Sequence, residues 1–277
     1  MSFRNRLRTV VIAGGLASLV CGAGAATPPA RPHRIVSLNL CADQYLLALA
    51  DRDQIAGLTR NANNPDMSAE AARTRGIRLL GQSAEEVLEI EPDLIVGMPM
   101  RRAGIMSAIA GRGYRTMDLK MADSYADIVE QIRQIAVAVG HPERGEAMIR
   151  RMDAELATIP KAPHGGVAAY YQRRGFLSGS GTLIDDLMLR VGLTNLATKL
   201  DKPVLSQMSL EEVIASRPDY LIMESATRQV TDQGTEMLHH PLLRGIRRLY
   251  IPQAWTVCGG PAYVLAARSL SRQISAR

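Results

Sequence analysis

Aromatic side chains are scarce in this sequence: 277 residues hold two Phe, one Trp and eight Tyr. A flat apolar ligand therefore meets few ring platforms, which makes the single tryptophan, Trp255, an informative one. Histidine occurs five times, at His33, His141, His164, His239 and His240, all at the edges of segments. None of these spacings is that of a metal site, and the adjacent pair His239-His240 points in two directions on a helix instead of chelating. No sign of charge dominates either, with 33 Lys+Arg against 27 Asp+Glu, so a nucleic-acid surface is not expected. The one glycine-rich turn ahead of a helix, Ser178-Gly179-Ser180-Gly181-Thr182, lacks the lysine of a phosphate-binding loop. No nucleophile, base and orienting group come together in the sequence, so neither catalysis nor a resident cofactor or metal is expected.

What is present begins with an N-terminal segment that reads as a cleaved secretory signal over residues 1–26. Arg4, Arg6 and Arg8 form a basic start, Val10 to Val20 an apolar stretch short for a bilayer, and Ala23-Gly24-Ala25-Ala26 a small-residue cleavage region. Its removal leaves 30 basic against 27 acidic residues, and Cys41 and Cys258 as the only cysteines. In an exported protein the pair has three readings: a disulfide, two free thiols lining a pocket, or part of a soft metal site. Two sulfurs without organised His partners leave a tetrahedral ion half coordinated, so the metal reading is the weakest.

The full sequence has 47% hydrophobic residues, enough to bury a core. From Arg34 short β-branched runs alternate with helical stretches. Strands are expected at 34–38, 54–58, 93–96 and 114–119, with helices at 43–50, after Ser83, and at 103–110. Such alternation means a parallel sheet with crossover helices. Between Ser124 and Leu156 the pattern changes to helical spacing alone, with Ile128, Ile132, Ile135 and Val139 followed, after Gly140-His141-Pro142, by Met148, Met152 and Leu156. Alternation then resumes, with strands at 167–171, 219–223 and 248–251 and helices at 182–191, 209–216 and 261–274.

The two alternating regions are copies of one unit. Ser83-Ala84-Glu85-Glu86-Val87-Leu88-Glu89-Ile90-Glu91-Pro92-Asp93-Leu94-Ile95-Val96 aligns without a gap on Ser209-Leu210-Glu211-Glu212-Val213-Ile214-Ala215-Ser216-Arg217-Pro218-Asp219-Tyr220-Leu221-Ile222, 126 residues further on. Each copy opens with the Ser-x-x-Glu form of a capping box. The expected architecture is therefore α/β: an N-terminal lobe over 27–122, a helical connector over 123–160 and a C-terminal lobe over 161–277. Each lobe carries a mostly parallel sheet, and a ligand cleft lies between the lobes.

These residues resemble the periplasmic solute-binding proteins of ABC importers for ferric siderophores, haem and cobalamin, and the resemblance runs from Arg34-Ile35-Val36-Ser37-Leu38 to Pro261-Ala262-Tyr263-Val264-Leu265-Ala266-Ala267. It implies a periplasmic, monomeric, non-catalytic protein that captures a metal chelate and delivers it to an importer permease and its ATPase. It also implies that Glu85 and Glu211 meet arginines of that permease. The position of Trp255, six residues before Pro261, is similar to that of a ligand-contacting Trp in the cobalamin-binding member. Cobalamin, a ferric siderophore and haem remain alternative ligands. The alternative function is an exported two-lobed enzyme acting on a tetrapyrrole or metal chelate.

Ligands of open α/β sheets bind outside the carboxyl ends of the strands. That rule selects Asn39 and Cys41, Arg60, Met98 and Arg101, Tyr171 and Arg173, Ser225 and Arg228, and finally Trp255 and Cys258 as candidate contacts. The arginines among them point to an anionic chelate, because a guanidinium pairs bidentately with carboxylates and phosphates.

Overall fold

The computed structural model describes residues 31–81, 83–97 and 104–276. The signal segment 1–26, Met98 and Arg101 lie outside the described residues. In chain order the elements are β1 (Ile35–Ser37), α1 (Leu40–Leu49), β2 (Ile55–Thr59), β3 (Leu79–Leu80), α2 (Ala84–Ile90), β4 (Leu94–Gly97), α3 (Gly104–Ile109), β5 (Thr116–Asp118), α4 (Tyr125–Ala138), α5 (Pro142–Ala157), β6 (Val167–Tyr170), β7 (Phe176–Ser178), α6 (Leu183–Arg190), β8 (Thr194–Asn195), α7 (Leu196–Lys199), β9 (Leu205–Gln207), α8 (Leu210–Ser216), β10 (Tyr220–Glu224), α9 (Gln233–Glu236), β11 (Arg247–Ile251) and α10 (Tyr263–Ser275). The protein is an α/β molecule of two similar lobes. The first holds a parallel sheet in the order β3-β2-β1-β4-β5, the second a parallel sheet in the order β11-β10-β6-β8, and β7 and β9 form a separate antiparallel ribbon. Among the described residues no helix is long and apolar enough to cross a membrane.

Period-two alternation along the strands sorts their side chains between two faces. Ile35, Leu94 and Val96 of the first lobe, and Ala168, Tyr170 and Ile222 of the second, enter one continuous core. Their neighbours Val36 and Ile95, and Ala169, Tyr171, Leu221 and Met223, face separate outer cores. The continuous core passes through α4 and α5, which contribute Ile128, Ile132, Ile135, Met148, Met152 and Leu156. These two helices cross so closely that a Cβ on Gly145 would stand 2.6 Å from that of Ala136.

The helical pair is fastened to both lobes. On the first lobe Arg144 donates to the Leu49 carbonyl at 2.7 Å and to Asp51 at 2.6 Å, and Gln54 donates to the Val139 carbonyl. On the second, Arg268 donates to Glu155 at 2.6 Å, while the Tyr125 ring stacks on Tyr263 with centroids 5.5 Å apart and the Arg190 guanidinium lies 4.9 Å from it.

The sequence repeat is a repeat of geometry. Ser83 and Ser209 cap α2 and α8 by accepting from Glu86 and Glu212. Both helices end on a left-handed residue, Glu91 (φ 50°) or Arg217 (φ 45°), followed by Pro. The Asp after that Pro then reaches across to the start of the adjacent strand. Asp93 accepts from the backbones of His33 and Arg34, and Asp219 from that of Val167. The two copies differ in the capping box: Glu212 closes its box onto Ser209, whereas Glu86 reaches the Gly81 backbone instead.

Candidate functional site

A cavity of about 600 Å³ opens between the lobes at the carboxyl ends of the strands. Its wall from the first lobe is the start of α1, at Asn39, Leu40 and Cys41. Asn39 caps that helix by accepting from the Ala42 backbone at 2.8 Å. Lys120 to Asp123, joining β5 to α4, and Gln131 of α4 form one side. The second lobe contributes Tyr170 and Gln172 at the end of β6, Ser178, Thr182 to Ile184 at the start of α6, Val204 and Leu205, Glu224 at the end of β10, and Gln253 with Thr256 to Gly259 after β11.

Cys41 and Cys258 form a disulfide that ties the lobes at the cavity wall, with Cα atoms 5.3 Å apart. This resolves the three sequence readings in favour of the bridge. The same seam is closed by Tyr45, whose hydroxyl donates to the Gly259 carbonyl at 2.5 Å. The backbone runs so close there that a Cβ on Gly259 would lie 2.3 Å from that of Ala122.

Of the candidate contacts, Asn39, Cys41 and Cys258 line the cavity. The others in the described residues lie elsewhere, each for a physical reason. Tyr171 points to the outer face of its strand, is fully buried and donates to the Met208 carbonyl at 3.0 Å. Its neighbour Tyr170 takes the inner face. Arg173 pairs with Asp232, and Arg228 stacks 4.3 Å from the Tyr250 ring centroid. Arg60 is exposed beside Gly81, so the expected cluster of arginines is not gathered at this cavity by the described residues. Ser225 starts the turn after β10, and the residue before it, Glu224, faces the cavity. Trp255 packs against the core between cavity-lining neighbours. Strand alternation was the signal that distinguishes Tyr170 from Tyr171; nothing in the local sequence marked Lys120 to Asp123 or Val204-Leu205.

The lining is largely neutral, with amides, hydroxyls and aliphatic groups around Lys120, Asp123 and Glu224. Burial raises the Glu224 carboxyl above its ordinary range, against the lowering effects of the Tyr170 hydroxyl, 3.5 Å away, and of the Arg173 charge. Burial likewise raises Tyr170. Among the described residues no three His, Cys, Asp or Glu side chains stand together as a metal site.

Below the cavity, Asp43 of α1 is completely buried and accepts from both the backbone and the hydroxyl of Thr59, fixing α1 to the end of β2. Burial pushes its carboxyl from 3.8 to about 6, in spite of hydrogen bonds from Ser37 and Thr59. The folded state thus holds this proton more tightly than the unfolded chain does. The resulting stability is complete below pH 3.8 and is lost as pH rises through about 6. A shift of this size corresponds to on the order of 3 kcal/mol, or several degrees of melting temperature. Acidifying from pH 7.5 to 5.5 is expected to raise the melting temperature, and Asp43→Asn to remove most of that rise. Parallel melting curves for the two proteins across this range would contradict the assignment.

Residues 35–247 match the protein family described as periplasmic binding protein. A cobalamin-binding protein of Halobacterium salinarum is 24% identical over 204 residues, covering 72% of this chain and 55% of the relative, so the chain spans about half the length of that protein. A vitamin B12-binding protein of Pectobacterium carotovorum is 24% identical over 266 residues, 89% of this chain and 90% of the relative. A periplasmic heme-binding protein from Roseiflexus sp. RS-1 superposes with a TM-score of 0.69 at 25% identity, over 87% of this chain and 97% of that one. A protein of an ABC-type Fe3+-hydroxamate transport system from Saccharomonospora viridis shares the fold, with a TM-score of 0.65 at 18% identity over 89% and 94% of the two chains.

Proposed function

We propose, since the chain belongs to the periplasmic binding protein family, that it captures a metal chelate of the cobalamin or ferric siderophore class outside the cytoplasm and hands it to the permease of an ABC importer. The observation that carries this reading is the cavity itself: about 600 Å³, between two lobes, at the carboxyl ends of their strands, with a lining suited to holding a small molecule by shape and neutral polar contacts. The names of the relatives at 24% identity support a corrinoid as ligand. The disulfide at the seam fits an oxidising compartment, as does the family.

Glu85 and Glu211 serve as docking contacts in this reading. They occupy the same position in the two copies of the repeat, both are exposed, and among the described residues neither makes an ion pair. The Glu85 carboxyl is held below its usual range by hydrogen bonds from its own backbone N–H and from Ser83, so it is charged at neutral pH. Capture and catalysis part on the fate of the ligand. Titration followed through Trp255 fluorescence, with recovery of the ligand afterwards, tests the proposal.

A further inference from the structure

We propose that Glu224 is a charge filter in the cavity, admitting an uncharged chelate and repelling one with net negative charge. This rests on the capture reading and names the ligand class that the site takes. Glu224 ends β10 and lines the cavity. One of its oxygens meets the Tyr170 hydroxyl; the other has no hydrogen-bond partner among the described residues. Asp123 adds a second carboxylate to the wall, and Lys120 is the one cationic side chain among the described lining residues. Arg173 is close enough to act on Glu224, yet its guanidinium is engaged by Asp232. Burial works against the Glu224 charge while the Tyr170 hydroxyl and the Arg173 guanidinium favour it, so once Glu224 is ionised an anion entering this cavity meets two carboxylates and one ammonium group. In a partly enclosed space such charges are screened less than at an open surface, so like charges discriminate strongly.

The rim points the same way. Met121, Val204 and Leu205 line the cavity while remaining 68%, 59% and 62% exposed. Exposed apolar groups around a recess mark a surface made to be covered by an apolar partner. A ligand with aliphatic or ring edges, and N–H or O–H donors for the free Glu224 oxygen, satisfies both features. A polyanionic chelate satisfies neither.

The test is equilibrium dialysis of the full chain with three probes: cyanocobalamin and ferrichrome, both uncharged, and a trianionic ferric tris(catecholate). The wild type is expected to bind at least one uncharged probe at least about tenfold more tightly than the trianion. Glu224→Gln should shrink that ratio about tenfold, mainly by gaining the trianion, while Glu224→Asp, which keeps the charge, should retain most of it. In the wild type alone, raising salt from about 0.01 M to about 1 M shortens the screening length from roughly 30 Å to 3 Å and should narrow the ratio, a result that needs no variant to fold. A ratio unchanged by Glu224→Gln or by salt, or tighter binding of the trianion by the wild type, overturns the filter and leaves capture standing. Binding of none of the probes overturns the capture reading together with the filter.

Discussion

Replacing Glu85 and Glu211 together by lysine is expected to reduce ligand uptake through the importer to background while the soluble protein still binds ligand within about twofold. The two carboxylates sit in the first turns of α2 and α8, outside the cavity lining. Their reversal therefore leaves the ligand contacts intact. A lysine at a helix start forfeits a favourable interaction with the helix dipole, about 0.3–1 kcal/mol for each helix, too little to unfold a domain. If the two residues dock on arginines of a permease, as proposed, the same change converts two attractions into two repulsions. Like charges brought together across an interface cost several kcal/mol and slow the encounter itself. Uptake by reconstituted importer and binding by the isolated protein separate the two effects. Normal uptake by the double variant would remove the docking role from both residues, and lost binding would place them in the ligand site instead.

Breaking the Cys41–Cys258 bridge should produce the largest loss of stability available from a single bond in this protein. The two cysteines are 217 residues apart in sequence, so the bridge closes nearly the whole described chain into one loop. On the chain-entropy account such closure stabilises by roughly 5 kcal/mol, and at about 2–4 °C per kcal/mol the melting temperature falls by about 10–20 °C. The Tyr45–Gly259 hydrogen bond and the packing of Gly259 on Ala122 remain, and the helical pair still spans the lobes. The folded form should therefore persist at room temperature, with a looser cleft and weaker ligand binding, because pre-organisation is lost. Scanning calorimetry of the Cys41→Ser/Cys258→Ser variant, with and without ligand, reads both effects. A melting temperature within about two degrees of the wild type would show that the bridge contributes little to the fold.

Much of this architecture was legible in the sequence because it is written locally. Strands β1, β2, β4, β5, β6, β10 and β11 are runs of apolar or β-branched residues bounded by breakers, and α2 and α8 carry their caps and stops within a dozen residues. The start of α1 lay three residues earlier than its apolar pattern, at an Asn39 cap that the pattern did not weight. The strands β3 and β8 have two residues each, and β7 and β9 three, too short for any periodicity. Their pairing depends on partners far along the chain. The candidate site shows the same division. The strand-end rule located the cleft, but the fate of each side chain was set by distant partners. Arg173 is held by Asp232, Arg228 by Tyr250, and Cys41 by Cys258, and no local signal announces any of these pairings. Tyr171 differs: the alternation that buries it was readable, and a count along β6 assigns the cavity to Tyr170.

On the capture reading, this protein holds its ligand and returns it unchanged. Trp255, the single tryptophan, packs against the core between Gln253 and Thr256, both of which line the cavity, so its emission reports on occupancy. Titration with cyanocobalamin and with ferric hydroxamate chelates should give saturable quenching at one ligand per chain for one of these classes. Mass spectrometry of the ligand released by denaturation should return its starting mass after prolonged incubation. Release of a chemically altered ligand, in amounts exceeding the protein, would contradict capture and establish an enzyme in its place.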